Sequence, residues 1–267
     1  QTPPPSGRPT HIVVDLAHLQ MAPDGAFGAL KLDLNWDGHN GVSGEGSART
    51  DNGAAMRLSM QAKKGQAKAG QAEAGQAEAD YSLFSLRLDD LGNAVRTATG
   101  NHNLYGGQAV LEGAYKDGMA DAWLRGQDIR AKQIPVLAQL LSVATLTGLN
   151  DTLAGDGILF REFDFPVRDR PHELFIRDGY LKGKALGLNI WGVTDPDAHT
   201  LDFSGTLIPA YSVNSWFGDV KRNGLGLVGI RYDLRGSYKT PQVTINPFSM
   251  VLPGFIRKIG EEKRKDP

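Results

Sequence analysis

The sequence predicts a mainly β protein, a long antiparallel meander with a few helices. Three observations carry that expectation. Glycine supplies 33 of 267 residues, about 12% against a usual level of about 7%, and helix interiors tolerate glycine poorly. Asp-Gly and Asn-Gly pairs stand at 24–25, 37–38, 40–41, 52–53, 117–118, 156–157, 178–179 and 223–224, and both pairs suit the positive φ angles of tight hairpin turns. Between several of them apolar residues recur at every second position, the pattern of strands coated on one side only.

Residues 1–10, opening Gln1-Thr2-Pro3-Pro4-Pro5, read as a disordered leader. A meander is expected over 11–132. In it Leu30, Leu32, Leu34 and Trp36 share one face with Lys31, Asp33 and Asn35 on the other, and Met56, Leu58 and Met60 alternate with Arg57, Ser59 and Gln61. Residues 65–79 repeat Gly-Gln-Ala-Lys/Glu-Ala; a glycine every five residues costs about 1 kcal/mol each time in a helix, so a loop or irregular edge is expected. A short helix is expected at 91–97.

Residues 133–267 form a C-terminal region expected to continue the preceding sheet. It opens with a buried apolar helix over about 134–153, with Pro135 in its first turn. Leu137, Leu140, Leu141, Ala144 and Gly148 form its stripe, which Val136, Val143, Leu146, Leu149 and Leu153 widen. A further turn is expected at 211–217, and Val228, Ile230, Tyr232 and Leu234 predict another strand. The tail predicts an amphipathic helix in which Asn246 caps, Pro247 opens and Pro253 kinks, bearing Phe248, Val251, Leu252, Phe255, Ile256 and Ile259.

Composition removes several function classes. The 29 Lys+Arg against 30 Asp+Glu leave a net charge of −1, without the basic excess that phosphate backbones attract. Zero cysteines exclude disulfides, thiolate metal sites and cysteine nucleophiles. The longest apolar stretch, 134–149, is interrupted by Gln139, Ser142, Thr145 and Thr147 and falls short of the roughly 20 residues of a membrane span. A start at Gln1 without a signal-like segment is expected of a processed product or a piece of a longer chain.

The chemical motifs fail one by one. Asp33-Leu-Asn35-Trp-Asp37-Gly38 begins like a calcium loop, yet its twelfth position is Gly44 rather than glutamate. Gly41-Val-Ser43-Gly44-Glu45 has its second glycine one residue early for a nucleophile elbow. No Gly-Lys-Ser/Thr follows Gly155-Asp156-Gly157, and the six histidines lack metal-ligand spacing. Glu162 and Asp164 would stand about 7 Å apart on one strand face, a spacing a glycosidase could use; the plainer reading is a solvent-facing strand with Leu159, Phe163 and Phe165 inward. The chain reads as a non-enzyme with no cofactor or metal.

Four blocks in order resemble the C-terminal region of bacterial AsmA-like proteins. They are Val136-Leu-Ala-Gln-Leu-Leu-Ser-Val-Ala-Thr-Leu-Thr-Gly-Leu-Asn-Asp-Thr-Leu-Ala-Gly-Asp-Gly-Ile158, Gly205-Thr-Leu-Ile-Pro-Ala-Tyr-Ser-Val-Asn-Ser215, Gly236-Ser-Tyr-Lys-Thr-Pro-Gln-Val-Thr-Ile-Asn-Pro247 and Pro253-Gly-Phe255. They cover roughly the second half of the chain, and residues 217–226 are shorter and more polar than the apolar insert found there in the family. The resemblance implies a sheet curled into an open groove or partial barrel, in a periplasmic part of a longer inner-membrane-anchored protein. It also implies passage of phospholipid towards the outer membrane, with no catalytic residues.

A sheet with one apolar face must cover it with something. Partial cover would leave a trough for acyl chains, with Leu30, Leu32, Leu34, Trp36, Met56, Leu58, Met60, Leu137, Leu140, Leu141, Phe203, Ile230 and Tyr232 as candidates to line it. Phe248, Leu252, Phe255, Ile256 and Ile259, followed by Arg257-Lys258 and Lys263-Arg264-Lys265, are candidates for contact with an anionic membrane surface. The expected partners are therefore phospholipid or another acyl-chain lipid, a membrane surface and other envelope proteins. The alternative is an assembly module without bound lipid, and a carbohydrate-active enzyme stands third.

Overall fold

The structure, a computed structural model, describes residues 7–64, 81–144, 146–209 and 229–246. The chain runs β1 (Thr10–Ala22), β2 (Gly25–Trp36), β3 (Val42–Arg49), β4 (Ala55–Lys63), β5 (Tyr81–Leu88), α1 (Leu91–Thr99), β6 (Leu104–Lys116) and β7 (Met119–Ala131). It continues through α2 (Pro135–Val143), α3 (Thr147–Ala154), β8 (Ile158–Arg170), β9 (Glu173–Gly183), β10 (Leu186–Asp195), β11 (Thr200–Pro209), β12 (Ile230–Ser237) and β13 (Pro241–Asn246). Every strand pairs antiparallel with the next, giving one 13-stranded sheet in chain order with β1 and β13 at its edges. The expected open meander is therefore the fold. No break separates residues 11–132 from those that follow, because β7 pairs directly with β8.

Twisted sheets of more than about ten strands must curl or split, and this one curls. Helix α1 packs on β6 and also on β1 and β2, while α2 packs on β13. Both reach strands several places away in the sheet, so each helix struts one half of the curl. In a meander successive connections alternate between the two ends, which puts α1, α2 and α3 at the same end. At that end Gly25 seats α1, where a Cβ would stand 2.5 Å from the Thr97 carbonyl oxygen.

Local chemistry fixes the helices. The Asp90 carboxylate caps α1, accepting from the Asn93 amide at 2.8 Å, and Gly100 closes it in the left-handed conformation at φ 72. Asp51 in the β3–β4 connection accepts from Arg96 and from the Asn93 amide group, both at 2.8 Å, tying α1 to a third hairpin. The Asn103 side chain donates to the carbonyls of Lys132 and Gln133 at 3.0 and 2.7 Å, joining the exit of α1 to the entry of α2.

Four sequence expectations need correction. The single helix over 134–153 is two, broken where Leu146 stands at φ −96 and ψ 56. The threonines and Gly148 weaken helix there, and the break lets α2 and α3 pack on each other with Leu141 at 0% and Leu153 at 1% exposure. Val143, placed in the apolar stripe by its spacing, is 42% exposed. Residues 7–10, placed in the leader, are instead tied to the sheet: the Gly7 amide donates to the Gly38 carbonyl at 2.8 Å and β1 starts at Thr10. Asp178-Gly179 makes no turn: it lies within β9, where a Cβ on Gly179 would stand 2.5 Å from the Phe165 ring. The expected features at 65–79, 211–217 and 223–224 and the tail helix all lie outside the described residues.

Candidate functional site: an apolar trough and its cavity

Cross-strand partners point to the same side of a sheet, so register shows what each face carries. One row links Val14, Leu32, Gly46, Leu58, Leu86, Leu111, Leu124 and Phe165 from β1 to β8. The next links Ile12, Leu34, Gly44, Met60, Phe84, Gly113, Ala122, Val167, Ile176, Gly192, Phe203, Leu234 and Val243, one residue from each strand. No polar side chain interrupts either row. At about 4.8 Å per strand the second extends about 58 Å along the curl. The outer face carries Lys31, Arg57, Arg87, Arg125, Asp164 and Tyr180 instead.

Ten of the trough candidates named from sequence lie on this inner face. Leu30, Leu32, Leu34, Trp36, Met56, Leu58 and Met60, on β2 and β4, are all half-buried. Apolar side chains left half-exposed across β2 and β4 mean that α1, α2 and α3 do not fully cover that part of the face. Trp36 lies at the end remote from the helices, where its indole packs against the Gly7 backbone. Phe203, Ile230 and Tyr232 are buried at 8%, 2% and 5% exposure.

Between the helices and the inner face lies a cavity of about 370 Å³. Its floor is Val136, Leu137 and Leu140 of α2, with Leu91 and Val95 of α1 beside them. One wall is Leu124 and Ile129 of β7 with Phe160, Phe163 and Phe165 of β8. The facing wall comes from Leu188 and Ile190 of β10, Tyr232 and Leu234 of β12 and Val243 of β13. Of the sequence candidates, Leu137, Leu140 and Tyr232 line this space. Leu141 does not; it is packed beneath at 0% exposure.

The cavity is chemically uniform. Its one polar side-chain group, the Tyr232 hydroxyl, donates to the Asn189 carbonyl at 2.9 Å, and burial pushes this phenol well above its ordinary range. An apolar space of this kind favours hydrocarbon and repels charge.

Most of the walls escaped the sequence reading. Leu186, Leu188 and Ile190 do alternate with Gly187 and Asn189, a signal that was available. In β8 the period is broken by register shifts between Phe160 and Glu162 and between Asp164 and Val167. The first puts Phe160 rather than Leu159 on the inner face, opposite Ile129.

Glu162 and Asp164 stand on the outer face, each with cationic or phenolic partners. Arg125 Nε donates to Asp164 at 2.9 Å, while Tyr180 Oη and Lys182 Nζ donate to Glu162 at 2.6 and 3.3 Å. The Tyr180 hydrogen bond holds the Glu162 carboxyl below the usual carboxylate range, opposite to the shift a general acid needs. No helix among the described residues is long and apolar enough to cross a membrane. The membrane-contact candidates Phe248, Leu252, Phe255, Ile256 and Ile259 lie outside the described residues.

Compared with known families, curated proteins and solved structures, the chain matches none.

Proposed function

We propose that this chain is a non-enzymatic lipid-binding module that shelters acyl chains against the inner face of its curled sheet. The observation that carries the reading is a cavity of about 370 Å³, apolar but for the Tyr232 hydroxyl, set in an apolar face that spans every strand. Each methylene moved there from water gains about 0.8 kcal/mol, so a ten-carbon stretch gains about 8 kcal/mol before the cost of immobilisation. The sequence resemblance to AsmA-like proteins extends the reading: a periplasmic segment of a longer, inner-membrane-anchored chain, conducting phospholipid between the inner and outer membranes.

Lipid extraction tests it. Protein purified from a bacterial envelope without detergent is analysed by native mass spectrometry and by solvent extraction. Co-purified phospholipid is the expected result. Protein that is lipid-free, and that takes up none from phospholipid vesicles, overturns the proposal.

One feature favours a second reading, an assembly module. Strand β1 is a 13-residue edge with Ile12 at 44% and Val13 at 64% exposure, and long edges of that kind accept a strand from another chain. A protein partner lost on Val13→Lys, with lipid unchanged, would support that role beside the first.

A further inference from the structure

We infer that the cavity is a single-chain site: it takes the methyl end of one hydrocarbon chain of about 15 carbons, tip against Leu137 and Leu140, and leaves the headgroup outside. The inference rests on the lipid-binding reading and names the part of the lipid that this space recognises. Volume decides the number of chains. A dry cavity of about 150 Å³ holds benzene, about 25 Å³ per carbon, so 370 Å³ holds about 15 carbons. Two such chains would need twice the space.

Chemistry decides the direction. With the Tyr232 hydroxyl already bonded to the Asn189 carbonyl, no lining side chain offers a partner to a carboxylate or phosphate, and an unpaired charge is excluded at high cost. Helix α2, packed on β13, closes the helical end and forms the floor. Away from that floor the same face continues through Ala122, Val167 and Ile176, so the chain's polar end points along the trough. A lipid with two chains therefore puts one in the cavity and lays the other on the open inner face. Free fatty acids, single-chain phospholipids and one chain of a diacyl phospholipid share this chemistry.

The test is competition on the intact chain between a fluorescent fatty acid and saturated fatty acids of 8 to 20 carbons. Binding should tighten by about fourfold per methylene up to about 15 carbons, then by less than twofold per methylene, at one fatty acid per molecule. Leu124→Trp and Ile190→Trp fill the space from opposite walls, and each should move that break about two carbons shorter; should one fail to fold, the other still reports. A single-chain and a diacyl phospholipid should each displace one fatty acid. Two or more fatty acids per molecule, an unbroken slope, or a break that neither substitution moves overturns the single-chain site while lipid binding stands. Absence of binding by every fatty acid and phospholipid overturns the lipid-binding reading with it.

Discussion

Replacing Met60 with glutamate separates an uncovered trough from a filled core. Met60 sits mid-face on β4, between Gly44 of β3 and Phe84 of β5, and beyond Phe84 the row continues to Gly113. Its side chain is half-buried. Fully burying a methionine is worth about 1.5–3 kcal/mol, so losing a half-buried one costs about 1 kcal/mol, and a carboxylate there can reach water along the open face. At this size that lowers the melting temperature by about 2–4 °C. A carboxylate facing hydrocarbon costs a chain that lies on this part of the open face at least about 3 kcal/mol, a loss of more than about 100-fold in affinity, whereas a chain held in the cavity, which Met60 does not line, is untouched. Leu141→Glu is the comparison, because Leu141 is at 0% exposure within the core and an unpaired charge there should cost more than about 4 kcal/mol. Denaturant midpoints and lipid extraction on the two variants give the answer. Met60→Glu unfolding as severely as Leu141→Glu would mean that the face is covered, and Met60→Glu retaining wild-type lipid would mean that chains lie elsewhere.

Three further outcomes are expected. Asp90→Ala removes the cap of α1 and should cost about 1 kcal/mol, a fall of about 2–4 °C in melting temperature by calorimetry. Burial and the hydrogen bond to Glu162 push the Tyr180 phenol up to about 12; in Glu162→Gln its ultraviolet titration should move towards 10 without reaching it, because burial remains. The Glu162 carboxyl is depressed, so its contribution is present above its unfolded pKa and is lost as pH falls through the folded one, and its half-exposed pairing keeps that contribution under about 1 kcal/mol. The His172 ring donates a hydrogen bond from Nδ1 to the Asp197 carboxylate, and that bond with the Asp197 charge raises its pKa. Its contribution is complete below the unfolded value and lost as pH rises through the folded one. The NMR titration midpoint should lie above 6.5 in the native chain and drop in Asp197→Asn, with only a slight fall in melting temperature at low pH because the pair is exposed.

Local chemistry made much of this fold readable. Asp24-Gly25, Asn52-Gly53 and Asp117-Gly118 each mark a real connection between neighbouring strands, because the turn and its sequence preference occupy the same few residues. The alternation in β2 and β4 placed seven apolar residues on one face for the same reason. The cavity was less legible, since it depends on contacts remote in sequence. Nothing near Pro135 specifies that α2 will rest on β13, about a hundred residues later, and nothing near Leu124 specifies that Leu234 and Val243 will face it. Asp178-Gly179 misled because its glycine answers a need for space beside Phe165, which a turn rule does not weigh.

That need for space recurs and accounts for the curl. Gly46, Gly126, Gly192 and Gly205 lie on the inner face, each beside a large residue on an adjacent strand. A Cβ at these positions would stand 2.5 Å from Leu32, 2.3 Å from Phe163, 2.7 Å from Phe203 and 2.4 Å from Tyr232, respectively. The large side chains lie flat over their glycine neighbours, so two positions share one residue's bulk. On a concave face side chains crowd as curvature increases, and pairing each large residue with none relieves that crowding. The same pairing thins the wall. A sheet designed to fill its own interior would place methyl or larger groups at these sites, whereas this one spends its glycines on the side that closes inward. High glycine content, first a sign of turns, thus also allows the sheet to bend while its own side chains leave part of the space inside the bend unfilled.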